Sequence, residues 1–337
     1  MHRVMIVTNS LTGGGAERSM NLVGNELTKR GWTVALVPIN SGEPDLVAPL
    51  CQVFPLYRDW QGGFFNTLVT ILKFNMLVRY WKPNFIIMNC DLPELFGAIL
   101  LRRARFIVVE HTSRPWASRQ HLGKIIRRIL ALRRTCWIAV SAHLRIWPTN
   151  NIPHYVIQNP LVLSGVPLIH NSEQQLLRIV FVGRLSKEKG VLKLIEIAEK
   201  LNLPVVIIGE GPLRKAMQTE VSVKKLDFSF SGQQLDPWNL VELGDLLLVP
   251  SAYEGDGLVV MEAMHRNIPI LMADITDFRR FGFSDVNYCT DVSQYIKRIS
   301  EFQNKIEALV IPEKLSESLL SARTLQSIGD SWERLLS

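Results

Sequence analysis

The sequence predicts an α/β protein built from two doubly wound parallel-sheet domains in series. Short apolar strands alternate with helical segments along nearly all of the 337 residues. Glycine-rich or polar loops follow most of these strands. The alternation lapses once near the middle of the chain and then restarts, as expected for two domains at this length.

The interruption of the strand–helix alternation defines the predicted domain boundaries. The first domain covers residues 1–165, a linker covers 166–177 and the second domain covers 178–320. A separate C-terminal helix is expected at 321–337.

Composition narrows the class of protein. Hydrophobic residues make up 47% and charged residues 20%, which allows a large core. The net charge of +7 favours an anionic partner, either a nucleotide, a phospholipid surface or a nucleic acid. The four cysteines are isolated and form no CxxC pair, as in a reduced cytoplasmic protein. No signal peptide and no transmembrane stretch is expected.

The first half begins with a strand, a Gly13–Gly15 loop, a helix ending before Gly31 and a second strand. This order implies a parallel sheet with a right-handed crossover. The predicted strands of this half are 4–7, 33–39, 85–89, 106–111, 136–141 and 155–159, and its helices run to residue 30, over 64–81, over 93–103 and within 118–134.

The second half repeats the alternation with shorter elements. Its predicted strands are 179–182, 205–208, 228–231, 246–250 and 269–272. Its predicted helices are 191–201, 212–217, 237–243, 258–266, 292–307 and 313–336.

The most informative stretch is 251–262, which joins a strand to a helix through a glycine-bracketed turn. Glu254 and Glu262 stand eight residues apart across that turn. A helix N-terminus offers N–H groups and a positive dipole to a phosphate. The two acids are suited to hydrogen bonds from sugar hydroxyls. A ligand that has both features is a nucleotide sugar.

Other loops are expected at the same topological edge, where parallel sheets bind ligands. Arg184 and Lys189 lie in a loop between Gly183 and Gly190, and two cations suit a pyrophosphate. His111 follows a strand of the other domain, although a lone histidine is more often structural. The Gly13–Gly15 loop is equally consistent with a plain tight turn. This distribution predicts two domains that face each other across one cleft.

Segment 119–134 carries six basic residues and no acid, with apolar residues at helical spacing. Such a helix is typical of a membrane-surface contact. An ordinary packed helix with a solvated basic face is the alternative. Helix 64–81 has the residues to extend the same apolar surface, but core packing is the favoured interpretation.

Several motifs together resemble the signature of the retaining GT-B glycosyltransferases of family 4, the glycosyl transferases group 1. The resemblance spans about residues 3 to 275. The matching segments are 14–18, 140–141, 156–159, 181–190, 208–213, 230–232 and 250–264.

The resemblance implies a role for each matching residue. Arg184 and Lys189 hold the donor pyrophosphate, Glu262 binds the ribose, and Glu254 lies by the anomeric carbon. His111 bonds a sugar hydroxyl. The implied catalytic residues are Glu254, His111, Arg184 and Lys189, and the implied donor-binding residues are Gly15, Arg184, Lys189, Gly211, Gly232, Asp256, Gly257, Leu258, Val259 and Glu262. No metal and no cofactor is implied.

Three departures from the family pattern are visible. The family usually has Phe at the position of Asp256 and Gly at the position of Asn267. Segment 274–280 replaces a Gly-rich acidic loop. Asp256 is therefore a candidate for selecting a donor hydroxyl, and it is equally able to weaken phosphate binding.

The function implied by the resemblance is retaining transfer of a hexosyl group from a UDP- or GDP-sugar. The expected acceptor is a hydroxyl of a lipid-linked, lipopolysaccharide or polysaccharide chain. The expected location is the cytoplasm, on the cytoplasmic membrane face through segment 119–134, with no nucleic-acid partner. Two alternatives are a non-catalytic nucleotide-sugar-binding subunit of a transferase complex, and an epimerase or phosphorylase of the same architecture.

Overall fold

The structure, a computed structural model, describes residues 2–11, 14–41, 48–59, 62–100, 104–148, 153–169, 176–302 and 317–337. The chain divides into two compact units, Met1–Leu161 with Leu320–Ser337, and Val162–Leu319. Gly13 and parts of the predicted linker and of the predicted helices 93–103, 292–307 and 313–336 lie outside the described residues.

The first half of the chain contains seven strands and four helices among its described residues. The strands are β1 Arg3–Thr8, β2 Thr33–Pro38, β3 Gln52–Val53, β4 Phe85–Asn89, β5 Arg105–Glu110, β6 Cys136–Ala139 and β7 Tyr155–Val156. The helices are α1 Gly15–Lys29, α2 Phe64–Trp81, α3 Asp91–Ile99 and α4 Gln120–Leu132.

The second half contains six more strands in its described part. They are β8 Arg178–Val182, β9 Val205–Ile208, β10 Phe228–Gly232, β11 Asp245–Val249, β12 Ile270–Ala273 and β13 Tyr288–Cys289. The helices are α5 Lys193–Leu201, α6 Arg214–Lys224, α7 Leu258–His265, α8 Thr276–Arg279, α9 Val292–Phe302, α10 Glu317–Ala322 and α11 Leu325–Leu336. Single 3-10 turns occur at Lys187–Lys189, Pro237–Leu240 and Asp285–Asn287.

Each unit contains one sheet with parallel pairing. The order is β3-β2-β1-β4-β5-β6-β7 in the first unit and β10-β9-β8-β11-β12-β13 in the second. The strand order reverses between β1 and β4, and again between β8 and β11. The predicted pair of doubly wound sheets is therefore confirmed, and each sheet has one topological switch point.

The central strands are buried on both faces, which explains their uninterrupted apolar sequences. In β1, Val4 through Val7 are completely buried. The second unit has two core clusters. Alternate residues of β8 divide between them, because Ile179 and Phe181 belong to one cluster and Val180 to the other.

Two predicted helices differ in extent from the observed ones. The helix predicted over 212–217 continues to Lys224 and ends where Lys225 adopts the left-handed conformation. The helix predicted over 237–243 is only a 3-10 turn. Asp236 accepts a hydrogen bond from Trp238 N at its start, and Val241 is already extended.

Local breaks account for two further corrections. Helix α3 ends at Ile99 because Leu100 is extended, so the predicted helix is interrupted there, and residues 101–103 lie outside the described residues. The C-terminal helix predicted as continuous is two helices. Thr324 is extended and its hydroxyl accepts from Ser327 N, so it caps a new helix, α11. Strands β3 and β13 and helix α8 were not predicted.

The helices of the first unit occupy both faces of its sheet. Helices α2, α3 and α4 make connections that run in one direction across the sheet, whereas the α1 connection runs in the other. Right-handed crossovers therefore place α1 on the opposite face. Helix α11 packs on α1. Arg30, the C-cap residue of α1, contacts Asp330 at 2.6 Å and Glu333 at 2.8 Å.

Arg127 does not belong to a solvated basic face of α4, because its side chain is only 1% exposed. Its guanidinium pairs with Glu94 of α3 and Glu110 of β5, both at 2.6 Å. It also lies over the rings of Trp137 and Trp147. Arg127 therefore does not belong to the predicted row of six surface cations.

Two carboxyl groups around Arg127 have raised pKa values. Burial raises the pKa of Glu110 to about 7, although the Arg127 charge opposes the shift. Burial and the Glu94 charge raise the pKa of Asp91 to about 6. The folded state therefore binds protons more tightly at these sites than the unfolded chain. Their contribution to stability is lost as the pH rises from the ordinary carboxyl range through 6 to 7.

We expect Arg127→Met to lower the free energy of unfolding by about 3–5 kcal/mol at pH 8, because buried carboxylates lose their cation. The loss should be smaller at pH 5, where Glu110 is protonated in the folded state. Urea unfolding at both pH values measures this. Arg128→Met, on the exposed side of the same helix, is the control and should change the free energy by about 0.5 kcal/mol or less. Equal effects of the two substitutions would contradict the buried network.

Candidate functional site

The candidate site of the second unit lies at its topological switch point. Loop 183–190 follows β8, and loop 250–257 follows the neighbouring strand β11. Ligands of doubly wound sheets bind outside the carboxyl ends of two such strands. Lys189 lies in the first loop and Glu254 in the second.

The two loops are in close backbone contact. Gly190 has φ +66°, and a Cβ atom there would lie 2.1 Å from the carbonyl oxygen of Pro250. Ala252 N donates a hydrogen bond to Glu188 O at 2.8 Å. Glycine is therefore required at position 190 on two grounds, its backbone conformation and the lack of space.

Lys189 and Glu254 are brought into direct contact by these loops. Lys189 Nζ lies 2.5 Å from Glu254 Oε2, and the side chains are 26% and 15% exposed. The backbone N–H of Glu254 donates to Asp277 Oδ2 at 2.8 Å. The Lys189 ammonium and the Glu254 carboxylate are therefore direct neighbours in the site.

Arg184 supplies a second cation from the same loop. Its side chain is half-buried and, within the described part of the chain, makes no hydrogen bond or ion pair. The loop backbone is held in place, because Leu185 N donates to Glu210 O at 2.8 Å. The Ser186 hydroxyl also donates to Glu188 at 2.6 Å. A guanidinium and an ammonium thus stand five residues apart on a fixed loop.

Helix α7 begins directly after loop 250–257, four residues beyond Glu254. Gly257 has φ +61° at the N-cap position, and a Cβ atom there would lie 3.0 Å from the Phe281 ring. The first intrahelical bonds run from Val260 and Met261 to Gly257 O. The N–H groups of Leu258 and Val259 precede them and point out of the helix end, as an anion site requires.

Asp256 is buried and tied to Arg280. Its side chain is 4% exposed, and Arg280 Nη2 lies 3.5 Å from Asp256 Oδ1. The same nitrogen donates to the Asp256 carbonyl oxygen. With Asp277 bound to Glu254 N, the unusual segment 274–281 forms a support under the acidic turn.

Glu262 is oriented by an aromatic side chain that the sequence did not indicate. The indole Nε1 of Trp238 donates to Glu262 Oε2 at 3.0 Å. Trp238 is buried in the 3-10 turn after β10. Neither Trp238 nor Arg280 belongs to a recognisable motif, and each is more than 15 residues from its partner.

Backbone packing and backbone conformation explain why glycine stands at positions 211 and 232. A Cβ at Gly211 would lie 2.5 Å from the Leu185 carbonyl oxygen. Gly232 has φ +69°, and its carbonyl oxygen accepts from Gly209 N at 2.8 Å. These glycines interlock the loops after β8, β9 and β10.

Two predicted site residues belong to the first unit. His111 follows β5 and is half-buried, and Gly15 is the first residue of α1. Both lie beyond strand carboxyl ends of that unit's sheet, as predicted. No group of three or more His, Cys, Asp or Glu side chains with a geometry suited to a metal occurs among the described residues.

Comparison with known families identifies the second unit. The family model "Glycosyl transferases group 1" matches residues 169–316. The chain is 31% identical to the alpha-D-kanosaminyltransferase of Streptomyces kanamyceticus, over 29% of this chain and 28% of that protein. It is 25% identical to the poly(ribitol-phosphate) alpha-N-acetylglucosaminyltransferase of Staphylococcus aureus, over 54% of this chain and 40% of that one. These matches span less than half of each relative.

Other similarities extend over the whole chain. A glycosyltransferase of Haemophilus influenzae is 24% identical over 98% of both chains. The sucrose-phosphate synthase of Thermosynechococcus elongatus has a TM-score of 0.77 at 18% identity, covering 99% of this chain and 98% of that one. Anabaena HepE in complex with UDP and glucose has a TM-score of 0.76 at 16% identity, covering 100% and 99%. Residues 169–316 therefore match the group 1 glycosyltransferase family, and the chain has the GT-B fold.

Proposed function

We propose that the protein transfers a sugar, with retention of configuration, from a nucleoside diphosphate sugar to a hydroxyl of a glycan or lipid-linked acceptor. The observation that carries the proposal is the meeting of Lys189 and Glu254 at the switch point of the second sheet. In the proposal, Lys189 binds phosphate and the neighbouring acid Glu254 faces the sugar. Glycosyltransferase relatives and the UDP complex of HepE support the same ligand class.

Donor binding follows from the charges of the site. Arg184, Lys189 and the N-terminus of α7 offer positive charge to the diphosphate. Glu262, held by Trp238, accepts hydrogen bonds from the ribose hydroxyls. The donor base is proposed as uracil or guanine. The diphosphate competes with Glu254 for the Lys189 ammonium and so directs Glu254 toward the sugar.

The reaction is proposed as a front-face displacement. The bond from the anomeric carbon to the leaving phosphate oxygen breaks as the acceptor oxygen bonds the same face. The acceptor proton passes to that phosphate oxygen. Lys189 and Arg184 stabilise its developing negative charge, and Glu254 stabilises positive charge on the sugar. These cations and the helix N-terminus supply the charge that a metal ion supplies in other transferases. His111 bonds a sugar hydroxyl.

The acceptor is proposed to be carried at a membrane surface. Relatives include an enzyme that glycosylates poly(ribitol-phosphate), according to its name. Segment 119–134 exposes four of its six cations, at Arg119, Lys124, Arg128 and Arg134, whereas Arg133 is half-buried and donates to Leu100 O. We therefore place the protein on the cytoplasmic membrane face through that segment.

Lys189→Gln and Glu254→Gln should each lower turnover by about 10²–10³-fold, the cost of removing one transition-state contact. Release of UDP or GDP from a panel of UDP- and GDP-hexoses, with membrane extract as acceptor, measures it. Lys187→Gln changes an exposed lysine of the same 3-10 turn and should leave turnover unchanged. Activity insensitive to both site substitutions would refute the assigned chemistry. Nucleotide binding without any transfer would indicate a non-catalytic subunit instead.

Arg280→Gln should raise the Kd for UDP or GDP by about tenfold or more, because it removes the Arg280 cation from the buried Asp256 carboxylate beside the proposed diphosphate. Asp256→Asn in the same chain should restore affinity, because the repulsive charge is gone. Isothermal titration of the two single variants and the double variant measures the coupling. Arg279→Gln is the matched control, since Arg279 pairs with Asp274 and Asp285 away from the turn. If the changes in binding free energy of the two single variants add up to that of the double variant, Arg280 and Asp256 do not act on the nucleotide as a pair.

A further inference from the structure

Helix α2 carries a row of large apolar side chains that its own packing does not use. Thr70, Ile71, Phe74, Val78 and Trp81 face the core, as expected of a packed helix. The opposite side has residues at about every fourth position that are 43% to 85% exposed: Phe64, Phe65, Leu68, Leu72, Met76 and Tyr80. Core packing therefore explains the apolar residues on only one side of this helix. The exposed row extends over most of a helix about 27 Å long.

Helix α4 has a second row of the same kind. Gly123, Ile126, Arg127 and Leu130 form its buried side. Four other apolar residues, three or four positions apart, are 36% to 87% exposed: Leu122, Ile125, Ile129 and Leu132. The apolar periodicity of this helix is thus divided between the core and the surface.

The two rows lie on the same face of the first sheet. Helix α2 joins β3 to β4, and α4 joins β5 to β6, so both connections run in one direction across the sheet. Helix α3 contacts both of them. Exposed apolar surface on this scale marks an interaction site rather than ordinary scatter.

The exposed charges of α2 and α4 have one sign. Residues 60–90 contain no Asp or Glu, and neither do residues 111–134. Lys73 and Arg79 of α2 are exposed, as are Lys124 and Arg128 of α4 with Arg134 just beyond it. Apolar rows interleaved with cations match an anionic lipid surface, which offers both an acyl boundary and negative headgroups.

We propose that α2 and α4 form a single lipid-docking face with divided roles, α2 inserting its apolar row and α4 supplying most of the electrostatic attraction. This deepens the proposed membrane contact, which rested on segment 119–134 alone. No helix among the described residues is long and apolar enough to cross a bilayer. In this proposal both helices lie in the interfacial plane, where apolar burial persists at high salt and charge attraction does not.

Co-sedimentation of the full chain with vesicles tests the division. The vesicles contain phosphatidylcholine alone or with phosphatidylglycerol, in low and high NaCl. The basic variant is Lys124→Gln, Arg128→Gln and Arg134→Gln together, and the apolar variant is Phe65→Ser, Leu72→Ser and Met76→Ser together. The control, Val166→Ser with Val223→Ser, removes apolar residues that are each 77% exposed in the second unit.

The basic variant should lose affinity for anionic vesicles by about fivefold per charge at low salt, the equivalent of about 1 kcal/mol each. At high salt it should match the parent. The apolar variant should lose at least about tenfold under both conditions, and the control should lose nothing. Circular dichroism and the Tm check that each variant is folded.

Vesicle binding unchanged in the apolar variant would overturn the proposal. A dimer that dissociates in the apolar variant while vesicle binding persists would assign the face to a second copy of the chain, which also overturns it. Affinity for UDP and GDP should be unchanged in all variants, so failure of the docking face is distinguishable from failure of the transferase assignment.

Discussion

The close backbone contact between Gly190 and Pro250 is the constraint on which the candidate site depends. It allows the loops after β8 and β11 to meet at the point where the strand order reverses. Only then can Lys189 reach Glu254, which is 65 residues further along the chain. The glycines at 209 and 211 extend the same interlocking to the loop after β9. Backbone contacts between the loops, rather than the ion pair itself, position Lys189 and Glu254.

A second support comes from the segment that departs most from the family pattern. Asp277 holds the backbone of Glu254, and Arg280 holds the carbonyl and carboxylate of Asp256. The two departures at Asp256 and 274–280 are therefore one structural feature. Burial of the Asp256 carboxylate is tolerable because an arginine pairs with it.

The two units use buried charge differently. In the first unit, Arg127 is enclosed by Glu94 and Glu110 within the helix and strand layers, so its charge is committed to the fold. In the second unit, Lys189 and Glu254 remain partly exposed, so their charges are accessible from solvent. The outer sides of α2 and α4 show a third arrangement, in which cations and apolar residues both face outward.

The sequence by itself determined the doubly wound fold and the residue types at the strand ends. Strands buried on both faces must be apolar, and glycine must stand where backbones touch, so both leave a local signal. Only the tertiary structure decided that Arg127 is buried, that Trp238 orients Glu262 and that Arg280 pairs with Asp256. It also decided which apolar row of α2 faces the core. These outcomes depend on partners distant in the chain, and a helical period is the same whether the row packs inward or faces out.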